Sequence, residues 1–330
     1  MNSTSSPTRP SSTSRRNQGR GRSADSPTQV PPRGWFDILK RTFKQLNEDN
    51  LSIVAGGVAF YAFLAIVPAM GALIGLYGLL ADPAQVTSHL NSLEQIVPAE
   101  ALPLLQEQLT RIAQDQPSAG WSALVGFAIA LFSSIKGTKA LMQGLNIAYD
   151  ESERRGIVKL HAVAILLTLG GILGVILMVA LVAIIPAIIE LIHLPQTLEG
   201  VMAWLRWPVL IVLFVGVLAA LYRFGPSRDA PRWRWLSWGA VTGAIVWLGG
   251  SAAFSLYVSS FGNYDKTYGS LGAVVVFLLW LYLSAYAILL GAELNSEAER
   301  QTEKDTTAGS EQPIGTRNAY AADTVGPAQS

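Results

Sequence analysis

Cysteine is absent from the chain, and charged residues are scarce. Without cysteine there are no disulfides, no thiolate metal ligands and no cysteine nucleophile. Only 14% of the 330 residues are charged and half are hydrophobic, whereas about a quarter of a soluble domain is charged. The formal net charge of +1 lacks the basic excess of a nucleic-acid-binding surface. The composition therefore predicts a chain that has lipid as its solvent and no nucleic-acid partner.

Motifs that carry catalysis are missing as well. The chain has three histidines and contains no HExxH sequence, no P-loop and no GxSxG elbow. These are the patterns of zinc hydrolases, nucleotide-driven motors and serine hydrolases. The sequence predicts neither an enzyme nor a bound cofactor.

Six long apolar tracts alternate with short polar segments. A helix needs about 20 mainly apolar residues to cross a bilayer. The predicted spans are residues 53–80, 121–147, 160–189, 204–222, 235–258 and 268–290. The predicted fold class is therefore all-α, a polytopic membrane protein whose six-helix bundle occupies residues 34–295.

The basic residues indicate how such a bundle is oriented. Nine Lys and Arg precede the first span, and the connections at 148–159 and 223–234 hold three and four. The alternate connections at 81–120, 190–203 and 259–267 hold one, none and one. Because cytoplasmic loops carry the excess of Lys and Arg, both termini are predicted to be cytoplasmic.

The segments outside the spans differ in character. Residues 1–33 and 296–330 are polar, and such tails are predicted to be disordered because they bury too little apolar surface. Residues 81–120 have two runs of apolar residues at helical spacing, broken by prolines, and are predicted to form an outer helical loop. Glycines four apart in the spans, such as Gly239 and Gly243, predict close approach of helices.

A short stretch before the first span mixes apolar and basic residues. Trp35, Phe36, Ile38, Leu39, Phe43 and Leu46 alternate with Lys40, Arg41 and Lys44. This pattern is typical of an amphipathic helix at a membrane interface. We expect it to lie on the anionic inner leaflet.

Polar residues at membrane depth are candidates for function because they are costly there. Lys136 and Lys139 lie three apart on one face of the second predicted span. They either extend to the headgroups or form a cationic patch for a phosphate-bearing lipid head. Asn146 follows on the same helix, where a hydrogen bond to another helix is the simpler interpretation.

The later spans carry further candidates. Glu293 and Asn295 end the sixth span, and Glu293 either pairs with Lys139 or Arg223 or serves as a substrate or proton-relay group. Arg223 most simply anchors the fourth span at the inner interface. Near the outer start of the sixth span, Tyr264 and Tyr268 form either an interfacial turn with aromatic anchoring or an outer gate and partner-docking loop.

Several of these segments resemble one known family. They are Ala55–Tyr61 with Pro68, Lys139–Tyr149, Leu221–Pro226, Tyr264–Ala273, Leu279–Ser284 and Gly291–Asn295. In this order they are similar to the YihY/BrkB-like family of bacterial inner-membrane proteins. The resemblance covers residues 35–295 and implies six spans in the inner membrane. The family has carried ribonuclease and serum-resistance labels, and the ribonuclease label finds no metal-ligand or general-base cluster here to support it.

Three classes of function remain open at the sequence level. The first is transport or flipping of an anionic lipid or envelope metabolite, with membrane lipids as partners. The second is a non-catalytic scaffold for envelope assembly or integrity, which implies a protein partner. The third, a membrane-embedded nuclease, is disfavoured because its ligands are missing. The oligomeric state is not indicated.

Overall fold

The computed structural model describes residues 19–80, 116–192, 196–260 and 270–329. Within these ranges the chain is helical and has no named strand; one isolated antiparallel bridge joins Pro231 to Thr307. The helices are α1 (Pro32–Glu48), α2 (Leu51–Leu80), α3 (Gln116–Ala148), α4 (Ile157–Ile192), α5 (Gln196–Phe224), α6 (Trp233–Ser260), α7 (Ser270–Glu299) and the short α8 (Tyr320–Asp323).

Helices α2 to α7 coincide with the six apolar tracts of the sequence. Five stretches are long and apolar enough to cross a membrane, and they are Leu124–Ala148, Ile157–Val182, Trp204–Phe224, Trp233–Val258 and Val274–Glu299. In α2, the stretch Leu51–Ala65 is apolar but shorter. The all-α class is therefore confirmed, with five candidate spans among the described residues.

The outward-facing side chains of these helices are apolar. On α4, Leu166, Leu173 and Ile176 are all more than half exposed, and on α5 so is Val212. A soluble monomer rarely exposes apolar patches of this size. The apolar exterior indicates that lipid surrounds these helices.

The chain divides into two compact units. The first comprises the described parts of Met1–Gly56 and Leu141–Ser330, and the second comprises those of Gly57–Ala140. In the second unit α2 and α3 pack closely, because a Cβ at Gly137 would lie 3.7 Å from the backbone nitrogen of Ala62. In the first unit α7 packs against α6 and α1, and α5 lies between α4 and α6.

Glycine allows α6 and α7 to approach at backbone distance. A Cβ added to Gly239 would collide with the carbonyl oxygen of Gly291 on α7. At Gly243 the added carbon would lie 3.0 Å from the Tyr222 hydroxyl and 3.2 Å from the Ala287 carbonyl oxygen. This glycine pair is thus a true helix-packing site, as its four-residue spacing predicts.

Helix α1 is amphipathic, as predicted. Its inner face buries Ile38 and Leu46, and Ile38 joins a small core with Leu294 and Ala298 of α7. Its outer face leaves Phe36 and Phe43 more than half exposed. Contact with the inner leaflet stays a prediction for this outer face.

Arg41 is a correction to the predicted basic face of α1. Its side chain is 4% exposed and makes an ion pair with Glu297 of α7. The guanidinium also donates to the backbone oxygen of Glu297 at 3.0 Å and to Oε1 of Gln301 at 2.9 Å. Arg41 therefore holds α1 on α7.

The terminal segments differ from the prediction of disordered tails. Helix α7 continues to Glu299, and residues 300–329 follow a defined path stabilised by hydrogen bonds from buried arginines. Arg317 donates to the carbonyl oxygens of Ala322 at 2.6 Å and Glu303 at 3.0 Å. These bonds require no apolar surface, which is why a criterion based on apolar burial missed them. Of the N-terminal tail, residues 19–33 are described and are also ordered.

The two terminal segments contact each other. Arg22 donates to the carbonyl oxygen of Gly326 at 2.5 Å, and Lys304 pairs with Asp25 at 2.8 Å. Both segments therefore lie at the same end of the first unit, beside α1 and the end of α7. We call this region, with the connections 149–156 and 225–232, the polar end.

Candidate functional site

Two buried asparagines join elements at the polar end. Asn146, at the end of α3, accepts a hydrogen bond from the Ser227 backbone nitrogen at 2.7 Å and donates to Glu153 at 3.1 Å. Asn295 of α7 accepts from the Gly239 nitrogen at 2.7 Å and donates to the Leu236 oxygen at 3.2 Å. Both amides use donor and acceptor atoms together: Asn146 joins the end of α3 to the connections 149–156 and 225–232, and Asn295 joins α7 to α6.

Arg223 lies at the end of α5 and has partners within its own connection. Its guanidinium donates to the carbonyl oxygen of Pro231 and lies 4.8 Å from the centroid of the Trp233 ring. Arginine on an aromatic face combines a cation–π contact with hydrogen bonding. These contacts fix the turn between α5 and α6.

The predicted lysine pair lies in the second unit. Lys136 is exposed, and its ammonium is 4.7 Å from the centroid of the Phe132 ring. Lys139 is half-buried on the same helix. The predicted gate residues Tyr264 and Tyr268 lie outside the described residues. So do residues 81–115 of the outer loop predicted over 81–120, and residues 116–120 are the first turn of α3.

Glu293 is the exception among the predicted site residues of the first unit. Its side chain is 1% exposed, and its Oε2 atom has no hydrogen-bond partner. Burying a carboxylate without full pairing is costly. Glu293 is therefore the predicted site residue whose burial is least explained by its contacts.

Further polar residues share a face of α7 with Glu293. Ser296, Glu297 and Arg300 follow it at spacings of three, four and seven residues, which places them on one stripe of a helix. Arg300 pairs with Glu297 at 2.5 Å and lies 3.8 Å from Asp150. The Ser296 hydroxyl and the Arg300 Nε are buried and have no hydrogen-bond partner.

Two more carboxylates approach this stripe from other elements. Asp49 ends α1, and Asp150 follows the end of α3; both lie close enough to act electrostatically on Glu293. Asn50 and Asp150 have φ values of 50° and 53°, so a left-handed residue terminates each helix and turns the chain. We call Asp49, Asp150, Glu293 and Glu297 the carboxylate cluster.

The electrostatics of the cluster favour bound protons. Burial, followed by repulsion from Asp150, raises the pKa of Asp49 to about 6. Burial also raises the pKa of Asp150, against the opposing effect of Arg300. Among the described residues, no group of three or more His, Cys, Asp or Glu side chains is arranged to hold a metal ion.

Sequence reasoning missed most of this cluster. Asp49 and Asp150 read as ordinary polar residues of short connections, and Glu297 and Arg300 were assigned to a disordered tail. The available signal was the i, i+4, i+7 spacing of Glu293, Glu297 and Arg300, which continues the face of the last span beyond its apolar end.

Long helices with an apolar exterior, tied together by polar groups at one end, define an α-helical membrane protein. The family described as virulence factor BrkB matches residues 42–315. The chain therefore belongs to the virulence factor BrkB family.

Two named relatives are similar to the chain over most of its length. The chain is 30% identical to the ribonuclease-like protein YfkH of Bacillus subtilis over 265 residues, covering 79% of this chain and 94% of the relative. It is 27% identical to the UPF0761 membrane protein IL2447 of Idiomarina loihiensis over 281 residues, covering 82% and 95%. No solved structure matches the chain.

Proposed function

We propose that this protein is a multi-pass transporter of the bacterial inner membrane that moves an anionic lipid or an envelope metabolite. In this proposal α2 to α7 are six spans, and the polar end faces the cytoplasm. The basic connections 149–156 and 225–232 belong to the polar end together with both terminal segments, which supports that orientation.

The observation that carries the proposal is Glu293. A carboxylate that is buried at the end of an apolar helix, with an unpaired oxygen, is a functional candidate because the membrane makes it costly. The exposed Lys136 and the half-buried Lys139 supply positive charge for an anionic headgroup. Because the chain has no P-loop, transport would be driven by a gradient or a partner.

A scaffold for envelope assembly, working with a protein partner, is the second candidate. Asn146, Asn295 and Arg223 favour it, because each has fixed partners that join helix ends and none is left available to a substrate. The name of YfkH contains the term ribonuclease-like, and we do not extend that activity to this chain.

Cysteine accessibility separates the two candidates in this cysteine-free chain. Ala292→Cys places a thiol next to Glu293, Leu166→Cys places one on the apolar exterior, and Ser310→Cys places one in the exposed C-terminal segment. A small water-soluble maleimide is applied to membranes that carry each full-length variant. The Ser310→Cys variant should react in every case, and the Leu166→Cys variant should not.

For a transporter, Ala292→Cys should also react, and added phosphatidylglycerol should protect it. For a closed scaffold, Ala292→Cys should stay unlabelled with and without lipid, although Ser310→Cys reacts. That second result would overturn the transport proposal.

A further inference from the structure

The carboxylate cluster contains more negative charge than its basic neighbours balance. Four carboxylates, Asp49, Asp150, Glu293 and Glu297, act on one another. Two guanidiniums compensate them, those of Arg41 and Arg300, and both are engaged by Glu297. If all four acids were ionised, the cluster would carry two uncompensated negative charges, with Glu293 and Glu297 as its buried members.

The charged groups that act on Glu293 are three acids and one base. Asp49 faces it from the end of α1, and Asp150 with the buried phenol of Tyr149 from the end of α3. On α7 itself the facing groups are Glu297 and Arg300. Helix α6 packs through Gly239 and Gly243, which are not ionisable.

Helix α5 contributes Tyr222, whose hydroxyl donates to the Ile288 carbonyl oxygen at 2.8 Å. That hydroxyl therefore has a backbone partner. The buried hydroxyls of Ser296, within the stripe, and of Thr42, which follows Arg41 on α1, have no hydrogen-bond partner among the described residues. These two hydroxyl groups are a second set of unpaired polar atoms besides the acids. They lie on α7 and α1, the two helices that the Arg41–Glu297 pair joins.

We propose that Glu293 is a proton-binding site, neutral at physiological pH, and that the proton is the coupling ion of the transporter. Proton binding follows from the cluster itself. The coupling part rests on the proposed function, because it needs a transported substrate to which the proton movement is linked.

A proton on Glu293 removes one of the two excess charges, at the position where charge is most costly. Two carboxylates that share a buried site cannot both ionise easily. The raised pKa values of Asp49 and Asp150 agree with a cluster that holds protons. A metal ion would need converging ligands, and the described residues offer no such group.

The same residues provide a path between Glu293 and water. Exposure rises from the buried Glu293 through the half-buried Asp49 to Asp150, whose side chain is 31% exposed. A proton released by Glu293 would thus pass carboxyl groups of increasing exposure. The end of α1 and the end of α3 form this path, both within the first unit.

Carbodiimide labelling tests the protonation directly. Dicyclohexylcarbodiimide is apolar and reacts with protonated carboxyl groups in apolar surroundings, so the full-length protein in detergent is treated and the modified residue is found by mass spectrometry. At neutral pH Glu293 should be modified, and the modification should be lost as the pH is raised. Glu299 is the internal control, because it is equally buried on the same helix but paired with Arg228; it should stay unmodified.

Two variants sharpen the result. Glu293→Gln keeps the shape of the side chain and should lose the label, with an unchanged gel-filtration profile. Asp49→Asn removes a neighbouring negative charge, so the label on Glu293 should disappear at a lower pH than in the wild type. Absence of label on Glu293 at neutral pH in well-folded protein, or equal labelling of Glu299, would overturn the proton site.

The outcome is separable from that of the transport proposal. If Glu293 is labelled as expected but Ala292→Cys is closed to maleimide, the proton site stands and the transporter does not. If Ala292→Cys is open and protected by lipid but Glu293 resists the carbodiimide, transport stands and the proton is not its coupling ion.

Discussion

Two faces of the end of α7 each bury a glutamate, one with hydrogen-bond partners for its carboxylate and one with an unpaired oxygen. On one face Glu299 receives two hydrogen bonds from Arg228, at 2.6 and 3.2 Å, and a third from the Thr306 hydroxyl at 2.7 Å. On the other face Glu293 is buried to the same degree but keeps an oxygen without a partner. The paired face is a structural joint. On the unpaired face, a bound proton or ligand would lower the cost of burying the carboxylate.

The comparison shows that burial alone does not distinguish structure from function. A buried ion pair with complete hydrogen bonding mainly fixes geometry. Burial and repulsion between neighbouring acids both disfavour the ionised form of a carboxyl group. The hydrogen-bond partners and the neighbouring charges of each glutamate therefore identify the candidate site, although Glu293 and Glu299 look alike in the sequence.

The largest expected effect comes from breaking the paired face. Arg228→Met leaves Glu299 as a buried, unpaired charge, and removing one partner of such a pair costs about 3–5 kcal/mol. The loss should appear as a lower unfolding temperature of the detergent-solubilised protein. The matched control, Lys44→Met, breaks an exposed pair with Glu48 at 3.4 Å and should cost about 0–1 kcal/mol.

The double variant Arg228→Met/Glu299→Met gives a second check on that joint. It removes both charges together, so much of the lost stability should return. If Arg228→Met alone is as stable as Lys44→Met, the paired face is not the structural joint described above.

A smaller loss is expected from the asparagine that joins α6 and α7. Asn295→Ala leaves the Gly239 nitrogen and the Leu236 oxygen without their side-chain partner, at about 1–3 kcal/mol for an unsatisfied buried group. Asn47→Ala is the control, because Asn47 is exposed and donates only to the Phe43 oxygen at 3.1 Å; it should change stability by less than about 0.5 kcal/mol. Equal unfolding temperatures for the two variants would contradict the role given to Asn295.

The sequence was sufficient to predict the helices and, on the unpaired face, to single out Glu293. Apolar tracts of about 20 to 30 residues leave little alternative to helices in lipid, and the described bounds of α2 to α7 agree with them. Glu293 was visible because it is the first acid after a long apolar run. The same reasoning found Asn146 and Asn295, but could not tell that Asn146 binds residues of two connections and that Asn295 binds backbone atoms of α6.

The remaining residues of the cluster depend on tertiary contacts. Asp49, Asp150 and Arg300 are about 100 to 250 residues apart in the chain, and each sits in a polar segment that looks solvated. Their meeting requires α1 to fold back onto α7, which Arg41 and Glu297 bring about. The order of residues 300–329 depends in turn on arginines that donate to backbone carbonyls, a pattern that apolar periodicity does not record.

The smallest expected effect is a pH dependence of stability that belongs to the unpaired face. The pKa of Asp49 is raised from 3.8 to about 6 in the folded protein, so the folded state binds the proton more tightly than the unfolded state. The contribution of Asp49 to stability should therefore fall as pH rises from about 4 to about 6 and then level off. Glu153 acts in a lower window and with the opposite sign, because its hydrogen bond with Arg155 lowers its pKa to about 2.

Measuring unfolding temperature between pH 4.5 and 6, above the window of Glu153, isolates the groups whose pKa is raised. Asp49→Asn removes one of these groups and also relieves the repulsion on its neighbours, so the decline with pH should become shallower than in the wild type. The Asn295→Ala variant should keep the wild-type slope at a lower temperature, because it removes hydrogen bonds and no charge. If Asp49→Asn leaves the slope unchanged, Asp49 does not hold its proton in the folded state, and the two faces of α7 do not differ in charge as described.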